Sequence, residues 1–181
     1  MFRAFCRFWF RFRGWGFEGS LPDLKQYLVV VGPHTSSWDF IYGVAARDIL
    51  KTDIKFIGKR ELFKFPFKKF FLKLGGYPVN RRQKEKAVET IARLFAENER
   101  FILALSPEGT RGKVEELRSG FYHIARLAGI PYVLVGMDYG HKKIVISEPS
   151  KPAGQLEVDL DRVRQFLSDI TGKNPHLGVL R

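Results

Sequence analysis

Apolar residues along this chain fall into two alternating patterns. Short β-branched runs have the length and composition of buried strands: YLVVVG (27–32), IKFIG (54–58), FILALS (101–106), PYVLVGMD (131–138) and KKIVIS (142–147). Between them lie segments with helical spacing at 36–50, 65–74, 83–99, 120–129 and 159–170. The 65–74 segment has Pro66 near its first turn and Gly75-Gly76 after its end. Within 83–99, Ala87, Val88, Ile91, Leu94 and Phe95 form one stripe, as in a helix laid on a sheet. YPVN (77–80) reads as a short extended piece, and Tyr139-Gly140-His141 as the turn between the last two strands. This alternation predicts an α/β fold, a single domain whose mostly parallel central sheet is covered by helices, with some antiparallel pairing near the end.

The first fifteen residues, MFRAFCRFWFRFRGW, interleave aromatics with arginines. At about 100° per residue, Phe5, Phe8, Trp9, Phe12 and Trp15 fall on one side and Arg3, Arg7, Arg11 and Arg13 on the other, while Phe2 and Phe10 fit neither. Such an amphipathic helix suits a bilayer interface, with rings at the headgroup boundary and cations on anionic phosphates. A helix packed on the domain with solvated arginines is the plainer alternative. Single-stranded nucleic-acid binding by stacking is a weaker one, because segregated faces part the rings from the charges.

Charge adds a constraint without choosing a partner. Lys and Arg outnumber Asp and Glu by 31 to 19, so the surface attracts anionic lipid, phosphate ligands or nucleic acid alike. The one cysteine, Cys6, forms no internal disulfide and has no zinc-like company, which fits a reducing cytoplasm. No run approaches the roughly 20 apolar residues of a membrane span, and the start lacks the apolar core and cleavage site of a signal peptide. The expected location is therefore cytoplasmic and peripheral, on the inner face of the membrane.

In a parallel sheet, ligands collect beyond the carboxyl ends of the strands. GPHTSSWDF, residues 32–40, sits at such an end. Ser36 and Asp39 have capping-box spacing, which would turn Asp39 back toward His34. A carboxylate on one imidazole nitrogen leaves the other free as a general base. Taken alone, these residues are better explained as a cap with an incidental histidine, because capping boxes are common. A second strand end carries SPEGTRGK (106–113), where Gly109 permits a tight turn whose N–H groups converge and Arg111 adds a forked donor, a combination suited to an oxyanion. Arg81 and Arg82, following Asn80, bring cations from a third loop, and Lys59 and Arg60 from a fourth. A metal-assisted hydrolase using His34, Asp39 and His123 is weaker, since no ligand spacing supports it and His123 reads as a partly buried helix residue. His141 in the turn and His176 beside Pro175 suggest no role.

Taken in order, HTSSWD, GGYPVNR, SPEGTR and IPYVLV resemble the four blocks of the glycerolipid acyltransferases, the lysophosphatidate acyltransferase-like enzymes with a His-x4-Asp motif. The chain departs from that pattern at Ser106, where the family usually has phenylalanine, and at Leu134, where a second proline is usual. The resemblance implies transfer of a fatty acyl group from acyl-CoA or acyl carrier protein to a hydroxyl of a lysophospholipid or glycerol-phosphate-like acceptor. It implies that His34 is the general base and Asp39 its orienting partner. Lys59, Arg81, Glu108, Gly109, Thr110 and Arg111 would hold the phosphate or head group. No metal and no cofactor beyond the thioester co-substrate are expected. The expected partners are an anionic membrane surface, the acyl donor and a lysolipid acceptor, with no specific nucleic acid. Residues 1–18 would be the membrane-interface helix and 19–181 the acyltransferase domain. A non-catalytic anionic-lipid- or polyanion-binding module on the same fold is the alternative.

Overall fold

The computed structural model describes residues 1–79 and 84–178. In chain order its elements are α1 (Phe2–Phe12), β1 (Gly16–Glu18), β2 (Gln26–Gly32), α2 (Trp38–Ile49), β3 (Ile54–Lys59), α3 (Lys68–Lys73), β4 (Gly76–Val79), α4 (Lys84–Glu97), β5 (Phe101–Leu105), α5 (Gly120–Ala128), β6 (Tyr132–Asp138), β7 (Lys143–Ile146) and α6 (Leu156–Ser168). One seven-stranded sheet runs in the order β1-β7-β6-β2-β5-β3-β4. Every neighbouring pair is parallel apart from β6 and β7.

β2 lies between β5 and β6, with Val29 opposite both Ala104 and Val133. Its apolar run is continuous because both faces are covered. Leu28 and Val30 pack toward α4, α5 and α6 with Leu103, Phe95, Phe121 and Val163. Tyr27 and Val29 pack toward α1 and α2 with Phe10, Tyr42, Ala45 and Ile144. The loops leaving β2 and β5 are therefore neighbours, and both contribute to the candidate site.

Several expectations need correction. β1 has no signal of its own and forms by pairing with Lys143–Val145, which ties the residues set apart as 1–18 into the sheet. α3 starts at Lys68, after Pro66, because the proline falls in the turn that precedes the helix; Gly75, at φ 86°, takes the chain out of α3. α6 begins earlier than expected, at Leu156. The largest revision concerns α1. It buries Cys6 and Phe10 in the core it shares with α2, leaving Phe5, Phe8 and Phe12 exposed. Trp15, assigned to the membrane face, is buried, with its ring 4.0 Å from that of Tyr42. Trp9 stacks on Trp38 at 5.4 Å. Nor is the arginine face wholly solvated: Arg7 pairs with Asp48 at 2.9 Å and Arg3 with the same residue at 3.9 Å.

Candidate active site

The loop after β2 turns through Pro33 and enters α2 at Trp38, with Ser37 at the N-cap. Only half of the expected capping box forms. Ser36 Oγ accepts the Trp38 N–H at 3.2 Å, while Asp39 reaches back and its Oδ2 accepts the Thr35 N–H at 3.0 Å and the Ser36 N–H at 2.9 Å. The same oxygen lies 2.9 Å from His34 Nδ1. The second oxygen, Oδ1, accepts the hydroxyl of Tyr139 at 2.7 Å. Because the carboxylate is used as an acceptor throughout, Nδ1 carries the imidazole proton and the Nε2 lone pair is left available.

Tyr139 lies far from Asp39 in sequence and was not foreseen. Its ring meets Trp15 and Tyr42 edge-on. Burial, together with its hydrogen bond to Asp39, pushes the Tyr139 pKa well above the ordinary tyrosine range, so it is a permanent donor.

Glu108, from the loop after β5, is buried and accepts the backbone N–H of His34 through Oε2. Burial pushes its pKa up, opposed by that N–H and by Ser106. Ser106, at the position where phenylalanine is usual, accepts the Glu108 N–H at 3.3 Å. Arg111 Nη1 donates to Ser37 Oγ, which bridges the two loops. Gly109, at φ +64°, is required: a Cβ there would lie 2.7 Å from the Arg118 guanidinium carbon. The expected convergence of N–H groups in this turn is not found at Gly109 and Gly112. Those two N–H groups go to Ser106 O at 3.2 Å and Thr110 Oγ1 at 3.3 Å. What the turn offers an anion is its guanidiniums, Arg111 and, unforeseen, Arg118.

Two further contacts close the His34 loop from below. Asn174 donates its N–H to Thr35 Oγ1 at 3.1 Å and its side-chain amide to Thr35 O at 2.8 Å. Lys173 sits 4.5 Å from the Trp38 ring centroid. No local pattern in TGKNP announces either contact.

His34, Asp39, Gly109, Thr110, Arg111 and Arg118 line one groove of about 1830 Å³, whose deeper walls are apolar, among them Phe40, Val44, Phe71, Ala104 and Met137. Glu108 is not at the groove wall but holds the loop behind it. Lys59 ends β3, and its side chain lies outside the described residues, as do Asn80, Arg81 and Arg82. His123 lines the groove but is exposed, contrary to the expected partial burial, because α5 turns it outward while Tyr122 and Ile124 face the core. Among the described residues no group of three or more His, Cys, Asp or Glu could hold a metal ion. No described helix is long and apolar enough to cross a membrane.

A groove with an oriented imidazole, two guanidiniums and apolar walls can deprotonate a hydroxyl of an anionic, lipid-bearing molecule. Comparison with known proteins narrows this. The solved structure of PlsC, the 1-acyl-sn-glycerophosphate (LPA) acyltransferase from Thermotoga maritima, matches with a TM-score of 0.64, covering 95% of this chain and 80% of that one at 24% identity. At that identity the likeness is one of fold. No curated protein gives a significant match. The acyltransferase family model matches residues 18–138, a span from β1 through the end of β6 that contains His34, Asp39 and the Glu108–Arg111 turn. With more than half its length matched, this chain belongs to the acyltransferase family.

Proposed function

We propose that the chain is a peripheral membrane O-acyltransferase that moves a fatty acyl group from an acyl-CoA or acyl carrier protein thioester to a hydroxyl of a lysophospholipid or glycerol-phosphate-like acceptor. The observation that carries this reading is the His34–Asp39 pair, held by Tyr139, Thr35 and Ser36 beside Arg111 at the edge of an apolar groove.

His34 Nε2 takes the proton of the acceptor hydroxyl as its oxygen attacks the thioester carbonyl. The tetrahedral intermediate collapses by breaking the carbon–sulfur bond, and the departing thiolate takes the proton from the imidazolium. An ester and a free thiol result. Asp39 keeps Nδ1 protonated and stabilises the transient cation. Arg111 and Arg118, with Lys59 and Arg81 by family analogy, hold the acceptor's phosphate, and the apolar walls accommodate acyl chains. The exposed rings of α1 dock the protein on the anionic inner face of the membrane.

The test is thiol release from acyl-CoA and from acyl carrier protein with a panel of lysolipids. His34→Ala is expected to lower turnover about 10²- to 10⁴-fold. Unchanged thiol release would refute the base assignment, whereas a wild type that releases no thiol with any acceptor would favour a binding module.

A further inference from the structure

The segment from Phe63 to Leu74 is not required to explain the chemistry, yet its surface is unusual. α3 has no buried residue. Phe65 is 95% exposed and Phe67 62%, and Phe70 and Leu72 are also exposed. Four large apolar side chains so close together exceed the scattered exposure normal for a surface. Interleaved with them are Lys64, Lys68, Lys69 and Lys73, all exposed, and no acidic residue lies between Glu61 and Glu85.

This patch is joined to α1. Phe2 meets Phe70 edge-on at 5.2 Å, and Arg3 Nη2 donates to Lys73 O at 3.3 Å. On its other side the same segment faces the groove. Phe71 lines the groove and packs on Phe40 at 6.1 Å, and Phe63 packs on Phe71. The rings thus run from solvent, through Phe70 and Phe71 at 5.3 Å, to the groove wall.

We infer that the Phe65–Leu72 segment is a second membrane contact, its rings entering the interface of an anionic bilayer and its lysines meeting lipid phosphates, so that the groove opens onto the membrane between α1 and α3. The inference rests on the proposed peripheral attachment. The basic flank commits the surface to anionic lipid, since uncharged partners would gain nothing from four lysines.

Co-sedimentation with phosphatidylcholine vesicles, with and without phosphatidylglycerol, tests it. Phe65→Ser/Phe67→Ser/Phe70→Ser and, separately, Lys68→Glu/Lys69→Glu are each expected to weaken partition onto phosphatidylglycerol vesicles about tenfold or more. Thiol release with a short-chain, soluble acceptor should stay unchanged. The lysine variant alters only exposed side chains and decides the matter should the phenylalanine variant unfold. The inference is overturned if both variants sediment like the wild type while Phe5→Ser/Phe8→Ser/Phe12→Ser does not bind. It is overturned too if the phenylalanine variant merely dissociates a dimer with vesicle binding intact. A wild type that ignores phosphatidylglycerol vesicles fails the underlying attachment itself, whatever the thiol assay shows.

Discussion

The chain holds two histidine–aspartate pairs built almost alike. In each, a buried carboxylate meets an imidazole Nδ1: His34 with Asp39 at 2.9 Å, His141 with Asp138 at 2.7 Å. In each, the carboxylate also accepts two backbone N–H groups of its own loop. The surroundings differ. His141 is 75% exposed at the tip of the β6–β7 turn, and the Asp138 hydrogen bonds all come from that turn. His34 is 31% exposed, lines the groove, and is gripped from β5 through Glu108, while Asp39 is gripped from the end of β6 through Tyr139. Local geometry makes the pair, but only elements distant in sequence make it a site.

The largest effects should separate the two pairs outright. His34→Ala should abolish most thiol release, and His141→Ala should leave it unchanged, measured side by side with one acceptor. Asp39→Asn should follow, lowering kcat by about 10²- to 10⁴-fold, because the amide favours the wrong tautomer. Tyr139→Phe should lower kcat about tenfold with KM little changed. It should also destabilise the fold by about 1.5–3 kcal/mol, since a buried carboxylate oxygen loses its donor.

The smallest effects are in pH dependence, with opposite signs. Burial pushes Asp138 up, but hydrogen bonds from the His141 side chain and from the His141 and Gly140 N–H groups outweigh it, so its pKa lies below the usual 3.8. It contributes stability above that value which is lost as pH falls through the lowered pKa. Asp138→Asn should therefore destabilise the protein at neutral pH and matter little in strong acid. Glu108 is raised above 4.5, so over the window just above that value the folded state binds more protons than the unfolded one. Wild-type stability should fall there, as pH rises, relative to Glu108→Gln. Thermal unfolding of both variants from acid to neutral pH measures each.

The sequence displayed the sheet and its helices because buried runs and stripes are local: YLVVVG could not have been left in water, and Ile91 and Phe95 needed a face to cover. β1 escaped notice because three residues, Gly16–Glu18, become a strand only by lying beside β7. The buried arc of α1 escaped notice for another reason. Its apolar residues span two arcs, and spacing alone does not say which arc the core takes; Cys6 and Phe10 face it beside α2, with Trp15 following. The His34–Asp39 pair was legible from spacing and from the ordered motifs around it. Its supports were not. Tyr139 and Asn174 arrive from other parts of the chain, and the Glu108 partner is a backbone N–H, which every residue but proline carries.

The Asn174 contacts bear on the order of events during synthesis. Thr35 leaves the ribosome early, and β2, α2 and β5 can take shape around it while later residues are still unmade. The loop is finished only when Asn174 closes on Thr35 and Thr171 O accepts the Tyr139 N–H at 2.8 Å. A nascent chain can therefore carry the complete sequence motif before it holds the finished arrangement. The support of the His34 loop is complete only once residues 171–174 have docked.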